Sequence, residues 1–90
     1  MPLRIDNLRG TLEAVLAPIR LDIEDDSHRH AGHVGAKGGG HYRVYIVSAK
    51  FSGRSLIARH RMVYEALAEQ MKGDIHALSL VTKAPEEVAE

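Results

Sequence analysis

Residues 41–48 read His41-Tyr42-Arg43-Val44-Tyr45-Ile46-Val47-Ser48 and carry the strongest strand pattern in the chain. β-branched and aromatic side chains dominate this run, and they favour the pleated, half-buried surface of a strand. Upstream, residues 20–25 alternate polar and apolar side chains, as a strand with one buried face does. We expect the two segments to pair as an antiparallel hairpin joined by a long loop over residues 26–40.

Helical patterns flank this hairpin on both sides. Apolar residues recur every three or four positions from about residue 3 to 16, and Pro18 stops that pattern. Ser55 is typical of a helix N-cap. A second helix is predicted from there to Gly73, with an apolar stripe on Leu56, His60, Val63, Tyr64, Leu67 and Met71. Residues 75–82 are predicted to form the last strand.

The resulting order is helix, strand, strand, helix, strand, which predicts a single compact α+β domain over residues 1–82. A strand–helix–strand connection within one sheet places the last strand parallel to the second. We therefore expect a three-stranded mixed sheet with helices covering one face. Residues 83–90 form a short acidic tail that we expect to be frayed.

The composition narrows the range of functions. With 44% hydrophobic and 27% charged residues, the chain of 90 residues is ordinary for a globular domain. Its formal net charge is zero, so binding to nucleic acid would need a local basic patch. No apolar run could span a bilayer or serve as a secretory signal, which predicts a cytoplasmic protein with no membrane partner. No arrangement of serine, histidine and acidic residues resembles a catalytic site, so we do not expect an enzyme.

Histidine is the unusual component of the chain, which has six histidines and no cysteine. Three of them, His28, His30 and His33, lie in the glycine-rich loop. Imidazole is a common metal ligand, but a chain without thiolates cannot hold an iron–sulfur cluster alone. A partner would then have to supply the sulfur. In the alternative interpretation, the three loop histidines bind Zn²⁺ directly. The entropy cost of ordering a flexible loop would weaken such binding.

Four blocks of sequence, in order and at compatible spacings, resemble the BolA family. Residues 25–33 are similar to its D-E-S-x-x-H loop, and residues 41–48 to its H-F-x-V-x-[IV]-V-S strand. Residues 51–64 resemble F-x-G-x-S-x-x-x-R-H-R-x-[VI]-Y, and residues 75–80 resemble [IV]-H-A-L-x-[IL]. The resemblance covers about residues 3–82 and implies a class II KH-like fold, in agreement with the element order above.

One role implied by the resemblance is partnership with a monothiol glutaredoxin in binding or transferring a [2Fe-2S] cluster, for iron–sulfur and iron homeostasis. The cluster would be shared with glutaredoxin and glutathione, and the isolated chain would not bind it tightly. We expect a monomer alone and a heterodimer with the partner. His76 matches the family's ligand position, and His30 matches its second ligand. His28 and His33 compete with His30 for that role.

The other implied role is regulation of transcription, including in the stress response, through duplex DNA. The turn and helix of residues 50–61 would carry it, with candidate contacts at Lys50, Arg54, Ser55, Arg59 and Arg61. The alternative is that these residues are ordinary solvated surface side chains with no role in DNA binding. The G-x-x-G clamp of RNA-binding KH modules is incomplete, because Gly53 is the lone glycine of that turn. His60, within the apolar stripe, is expected to be a hydrogen-bonded core or sub-surface histidine.

Overall fold

Residues 4–26, 40–73 and 75–88 are described by the structure, a computed structural model of the chain. The elements in chain order are α1 (Arg4–Leu16), β1 (Arg20–Asp25), β2 (Gly40–Val47), a 3-10 turn (Ala49–Phe51), α2 (Leu56–Ala66), α3 (Ala68–Met71), β3 (Ile75–Lys83) and α4 (Pro85–Val88). The predicted order of the main helices and strands is confirmed. Within the described ranges, no helix is both long and apolar enough to cross a membrane.

β2 is the central strand of a three-stranded sheet with the order β1-β2-β3. It pairs antiparallel with β1, where Val44 lies opposite Ile23, and parallel with β3, where Val44 lies beside Leu80. The predicted mixed sheet and α+β architecture are therefore confirmed. Both edges of β2 are satisfied by backbone hydrogen bonds, which makes this strand the frame that positions the rest of the domain.

One face of the sheet and the inner sides of the helices form the core. Along β2, alternate side chains point to this face, as the two-residue period of a strand requires. Along α1, leucines recur every four residues and keep to one side of the helix. The buried cluster consists of Leu8, Leu12, Leu16, Leu21, Tyr42, Val44, Ile46, Phe51, Val63, Leu67, Ile75 and Ala84.

The buried side of α2 differs from the predicted apolar stripe. Leu56 and Tyr64 are 61% and 41% exposed, whereas Val63 is fully buried and Arg59 is only 8% exposed. The helix thus turns an arginine toward the interior and leaves a leucine in solvent. The apolar stripe did not predict this, because hydrophobic periodicity assigns arginine to the solvent face.

The long helix predicted up to Gly73 is interrupted at Leu67, where φ is −98° and ψ is 17°. Leu67 remains fully buried at the break. Beyond it, the Gln70 side-chain amide donates a 2.9 Å hydrogen bond to the Thr11 hydroxyl of α1. The interruption lets the last turn, α3, reach α1 without removing Leu67 from the core.

The C-terminal segment packs on the domain instead of fraying over its described residues. β3 extends to Lys83, Ala84 is fully buried, and α4 follows. Residues 83–88, assigned to the tail from the sequence, thus comprise the end of β3, the buried Ala84 and α4. The physical reason is a set of polar contacts made by side chains that sequence patterns assign to solvent.

Arg59 is the centre of these contacts. Its Nε donates to the Arg54 carbonyl oxygen at 2.9 Å, and its Nη1 donates to the Thr82 carbonyl oxygen at 3.3 Å. Nη1 and Nη2 also donate to the two carboxylate oxygens of Glu87, at 2.6 and 3.3 Å. The Ala84 backbone N–H donates to the same carboxylate at 2.7 Å. A buried charge is tolerable only when it is paired and hydrogen-bonded in this way.

These contacts also change the titration of Glu87. The hydrogen bond from Arg59, assisted by the Ala84 N–H, lowers the pKa of the Glu87 carboxyl below its ordinary value. Because the folded pKa is lowered, the contribution to stability is present above the unfolded pKa. It is lost as the pH falls through the folded pKa.

We predict that Gly40→Ala destabilises the protein by about 1–3 kcal/mol, the usual range for overpacking a filled site. An added Cβ would lie 2.6–2.7 Å from ring atoms of Tyr42, whose side chain is 3% exposed and has little room to move. Gly10→Ala is the control, because a Cβ there meets nothing within 4 Å. It should stabilise α1 by about 0.5–1 kcal/mol. Urea denaturation measures both, and equal shifts would contradict the packing explanation.

We predict that Glu87→Gln lowers the melting temperature at pH 7, and that this difference shrinks as the pH falls below the ordinary carboxyl range. The reason is that a protonated Glu87 no longer offers Arg59 a charged acceptor. Thermal unfolding of both proteins between pH 7 and pH 3 tests this. Glu69→Gln is the control, since Glu69 has an 84% exposed side chain that pairs with Lys72 at the surface. A difference that stays constant down to pH 3 would refute the assignment.

Candidate functional site

His76 lies at an irregularity in the sheet. The register pairs Gly40 with Ile75 and then His41 with Ala77, so His76 is an extra residue on β3 with no counterpart on β2. Such a bulge bends the strand and re-aims a side chain. His76 is exposed while its neighbour Ile75 is buried. The bulge therefore places an imidazole at the surface, at the end of the sheet where β2 and β3 begin.

A second imidazole lies beside it. The rings of His41 and His76 have their centroids 5.1 Å apart and are tilted by 49°. We call this pair the histidine corner. The sequence alone presents His41 only as part of a strand. The pairing register that brings the two residues together cannot be deduced from the apolar pattern of either strand.

The histidine corner suits a shared metal site better than a self-contained one. Among the described residues, no group of three or more histidine, cysteine, aspartate or glutamate side chains could hold a metal ion. Two neighbouring imidazoles offer nitrogen donors, and further ligands would have to come from outside residues 4–26, 40–73 and 75–88. Because the chain has no cysteine, any thiolate ligand must belong to another molecule.

The three loop histidines, His28, His30 and His33, lie outside the described residues and stay predictions. Their attachment to the fold is nevertheless defined. β1 ends at Asp25, and the Asp26 backbone N–H donates to the His41 carbonyl oxygen at 2.7 Å. The described chain resumes at Gly40, one residue before His41. Both ends of the segment that carries the loop histidines are therefore anchored next to the histidine corner.

His60 lies on α2 and is half-buried, as expected for a sub-surface histidine. Its Nε2 atom is buried, and no partner lies within hydrogen-bonding distance of it among the described residues. The expectation of a hydrogen-bonded ring is therefore not met at this atom. Nothing places His60 at the histidine corner.

Four of the five residues predicted to contact nucleic acid are exposed, and the fifth, Arg59, is buried. Arg54 and Arg61 are exposed. Lys50 is exposed as well, but its ammonium donates to the Val15 carbonyl oxygen of α1 at 3.1 Å. Ser55 caps α2 by accepting a 3.1 Å hydrogen bond from the Ala58 N–H.

The prediction that Arg59 contacts nucleic acid does not fit this structure. Its side chain is buried and fully engaged with backbone carbonyls and Glu87, so it is not available to a phosphate in this structure. The sequence offered one signal that could have indicated this. Arg59 lies four residues before Val63, on the same side of a helix as a core residue.

Comparison with known proteins agrees with this architecture. The family model described as "BolA-like protein" matches residues 12–87. The Arabidopsis thaliana "Protein BOLA1, chloroplastic" is 46% identical over 88 residues, covering 93% of this chain and 55% of the relative. This chain thus spans only about half the length of that relative. The Escherichia coli (strain K12) "DNA-binding transcriptional regulator BolA" is 37% identical over 77 residues, covering 86% of this chain and 71% of the relative.

A solved structure shows the same arrangement. The structure of BolA1 from Arabidopsis thaliana superposes with a TM-score of 0.86 at 42% identity, and the match covers 99% of both chains. The family match, the sequence identity and the shared fold lead to one conclusion: this chain belongs to the BolA-like protein family.

Proposed function

We propose that this chain is an accessory protein that pairs with a monothiol glutaredoxin to bind or transfer a [2Fe-2S] cluster. The observation that carries the proposal is the histidine corner: an exposed His76 imidazole re-aimed by a bulge, with His41 beside it. An exposed nitrogen donor at the end of a sheet is accessible to a partner. A buried one would not be.

The chemistry of the donor set supports a shared cluster. Clusters of this type are held mainly by thiolates, and imidazole can replace thiolate on one iron, which raises the reduction potential. This chain has no cysteine. We infer that it supplies imidazole while glutaredoxin and glutathione supply thiolate. His76 would be one ligand, His30 is the first choice for the second, and His28 and His33 remain competitors.

His41 has a different proposed role. A ring packed beside a ligating histidine restricts the orientations that the ligand ring can adopt. His41 is half-buried on the central strand and therefore less mobile than the exposed His76. We infer that it is a positioning residue. The monomeric state of the isolated chain, its heterodimer with the partner and its cytoplasmic location stay predictions.

We predict that His76→Ala abolishes the visible circular dichroism of the heteromeric cluster and leaves the spectrum of the glutaredoxin homodimer. The test is anaerobic reconstitution of a one-to-one mixture with monothiol glutaredoxin, iron, sulfide and glutathione. Ser79→Ala, at another exposed position of β3, is the matched control and should keep the heteromeric spectrum. An unchanged His76→Ala spectrum would remove His76 from the site. Single His28, His30 and His33 variants identify the second ligand, and we expect the largest effect for His30→Ala.

A second candidate function is DNA binding by a transcriptional regulator. It is favoured by the name of the Escherichia coli relative and by exposed Arg54 and Arg61 in a stretch, residues 49–61, that contains no acidic residue. Phosphate contacts by such cations would make binding strongly dependent on salt. Arg59 is left unchanged in the direct test of this surface, because its side chain is buried and bound to Glu87 in the structure.

We predict that Arg54→Glu with Arg61→Glu weakens duplex DNA binding and reduces the slope of log affinity against log salt by about 2, since each phosphate that is no longer neutralised lowers the slope by about 1. Fluorescence anisotropy of a labelled duplex over a series of KCl concentrations measures this. The control, Arg20→Glu with Lys72→Glu, makes the same change in net charge at exposed cations outside residues 49–61. Equal effects of the two pairs would indicate that net charge alone matters and would refute a local DNA surface.

A further inference from the structure

We infer that α4 competes with DNA for the same binding groups within the chain. The carboxylates of α4 accept hydrogen bonds from polar groups that would otherwise contact DNA phosphates. The inference rests on the second proposed function and adds a regulatory contact to it. We call residues 49–61 the basic segment. It contains Lys50, Arg54, Arg59 and Arg61 and no aspartate or glutamate, whereas α4 contains Glu86 and Glu87.

Both glutamates of α4 contact the basic segment. Glu86 accepts a 3.0 Å hydrogen bond from the Ser52 hydroxyl in the turn before α2. Glu87 accepts the bidentate pair of hydrogen bonds from Arg59. The acidic turn therefore places its charges on the part of the chain where cations cluster. A phosphate backbone bound at the basic segment would supply negative charge in place of these two glutamates.

The Arg59 guanidinium, which donates to Glu87, has the geometry to bind an oxyanion. The Arg54 and Thr82 carbonyls also accept hydrogen bonds from the Arg59 guanidinium, so two of its contacts do not involve α4. Its Nη1 and Nη2 edge then faces α4. A fixed guanidinium fork matches a carboxylate or a phosphate in bidentate geometry. With α4 displaced, the same edge would be presented to solvent.

α4 has the properties of a displaceable segment. It is a single turn of four residues with no buried side chain, and the side chain of Glu87 is 41% exposed. An isolated turn of this length is not stable in water without its contacts. The Glu86 contact with Ser52 is exposed, and the Glu87 side chain is 41% exposed, so a competing anion can approach both carboxylates from solvent. Displacing α4 therefore leaves the sheet and the apolar core in place.

The test compares the complete chain with its Glu86→Gln/Glu87→Gln variant, using fluorescence anisotropy of a labelled 20-base-pair duplex at 50–200 mM KCl. Removing the competing carboxylates should tighten binding roughly three- to tenfold at 100 mM KCl. It should also increase the salt slope by about 1, which is one additional phosphate contact. Glu65→Gln/Glu69→Gln, which removes two negative charges from exposed positions outside α4, is the matched control and should change affinity less than twofold.

Adding Arg59→Gln to the Glu86→Gln/Glu87→Gln variant should remove the additional slope, because glutamine carries no charge that neutralises a phosphate. Far-UV circular dichroism confirms that this variant is folded. Equal gains in the α4 variant and its control, or no gain in either while the unmodified chain binds DNA, would overturn the competitor role alone. Absence of DNA binding in every variant would overturn both this inference and the DNA candidate. Displacement of the duplex by poly-glutamate as readily as by unlabelled DNA would show that the site takes acidic protein segments, and would overturn DNA as its ligand.

Discussion

The central position of β2 in the sheet sets where the helices and both neighbouring strands lie. Its core-facing side chains fix which face the helices cover, and its parallel pairing with β3 fixes where β3 begins. The histidine corner follows from that pairing, since His41 lies at the start of β2 and His76 is the unpaired residue of β3. A change of one residue in the register would turn His41 to the core face.

Arg59 is the second organising residue, and it illustrates how an ionic group can close a small domain. One guanidinium binds the start of α2, the end of β3 and α4 through the Arg54 carbonyl, the Thr82 carbonyl and Glu87. A domain of 90 residues has a limited core, so a polar tie of this kind adds to the apolar packing of Ala84 in holding the C-terminal segment. Because Glu87 of α4 already binds the Arg59 guanidinium, an anion that approaches the basic segment would compete with it.

The two proposed functions use opposite kinds of surface on one fold. The histidine corner lies where β2 and β3 begin and offers neutral nitrogen donors. The basic segment offers cations, and α4 neutralises part of them. Because the two surfaces involve different residues, variants can separate the roles, and a protein could carry both.

Apolar periodicity and the spacing of the four motif blocks were enough to predict the element order, the mixed sheet and the family, because both can be read along the chain. The sequence also indicated His76 as a candidate ligand, although only through the resemblance. The tertiary structure alone decided that His41 lies beside His76, since a bulge and a strand register are properties of paired backbones. It likewise decided that Arg59 lies inside and that residues 83–88 are held against the domain. Burial of a charged side chain depends on partners distant in the chain, and no local pattern contains them.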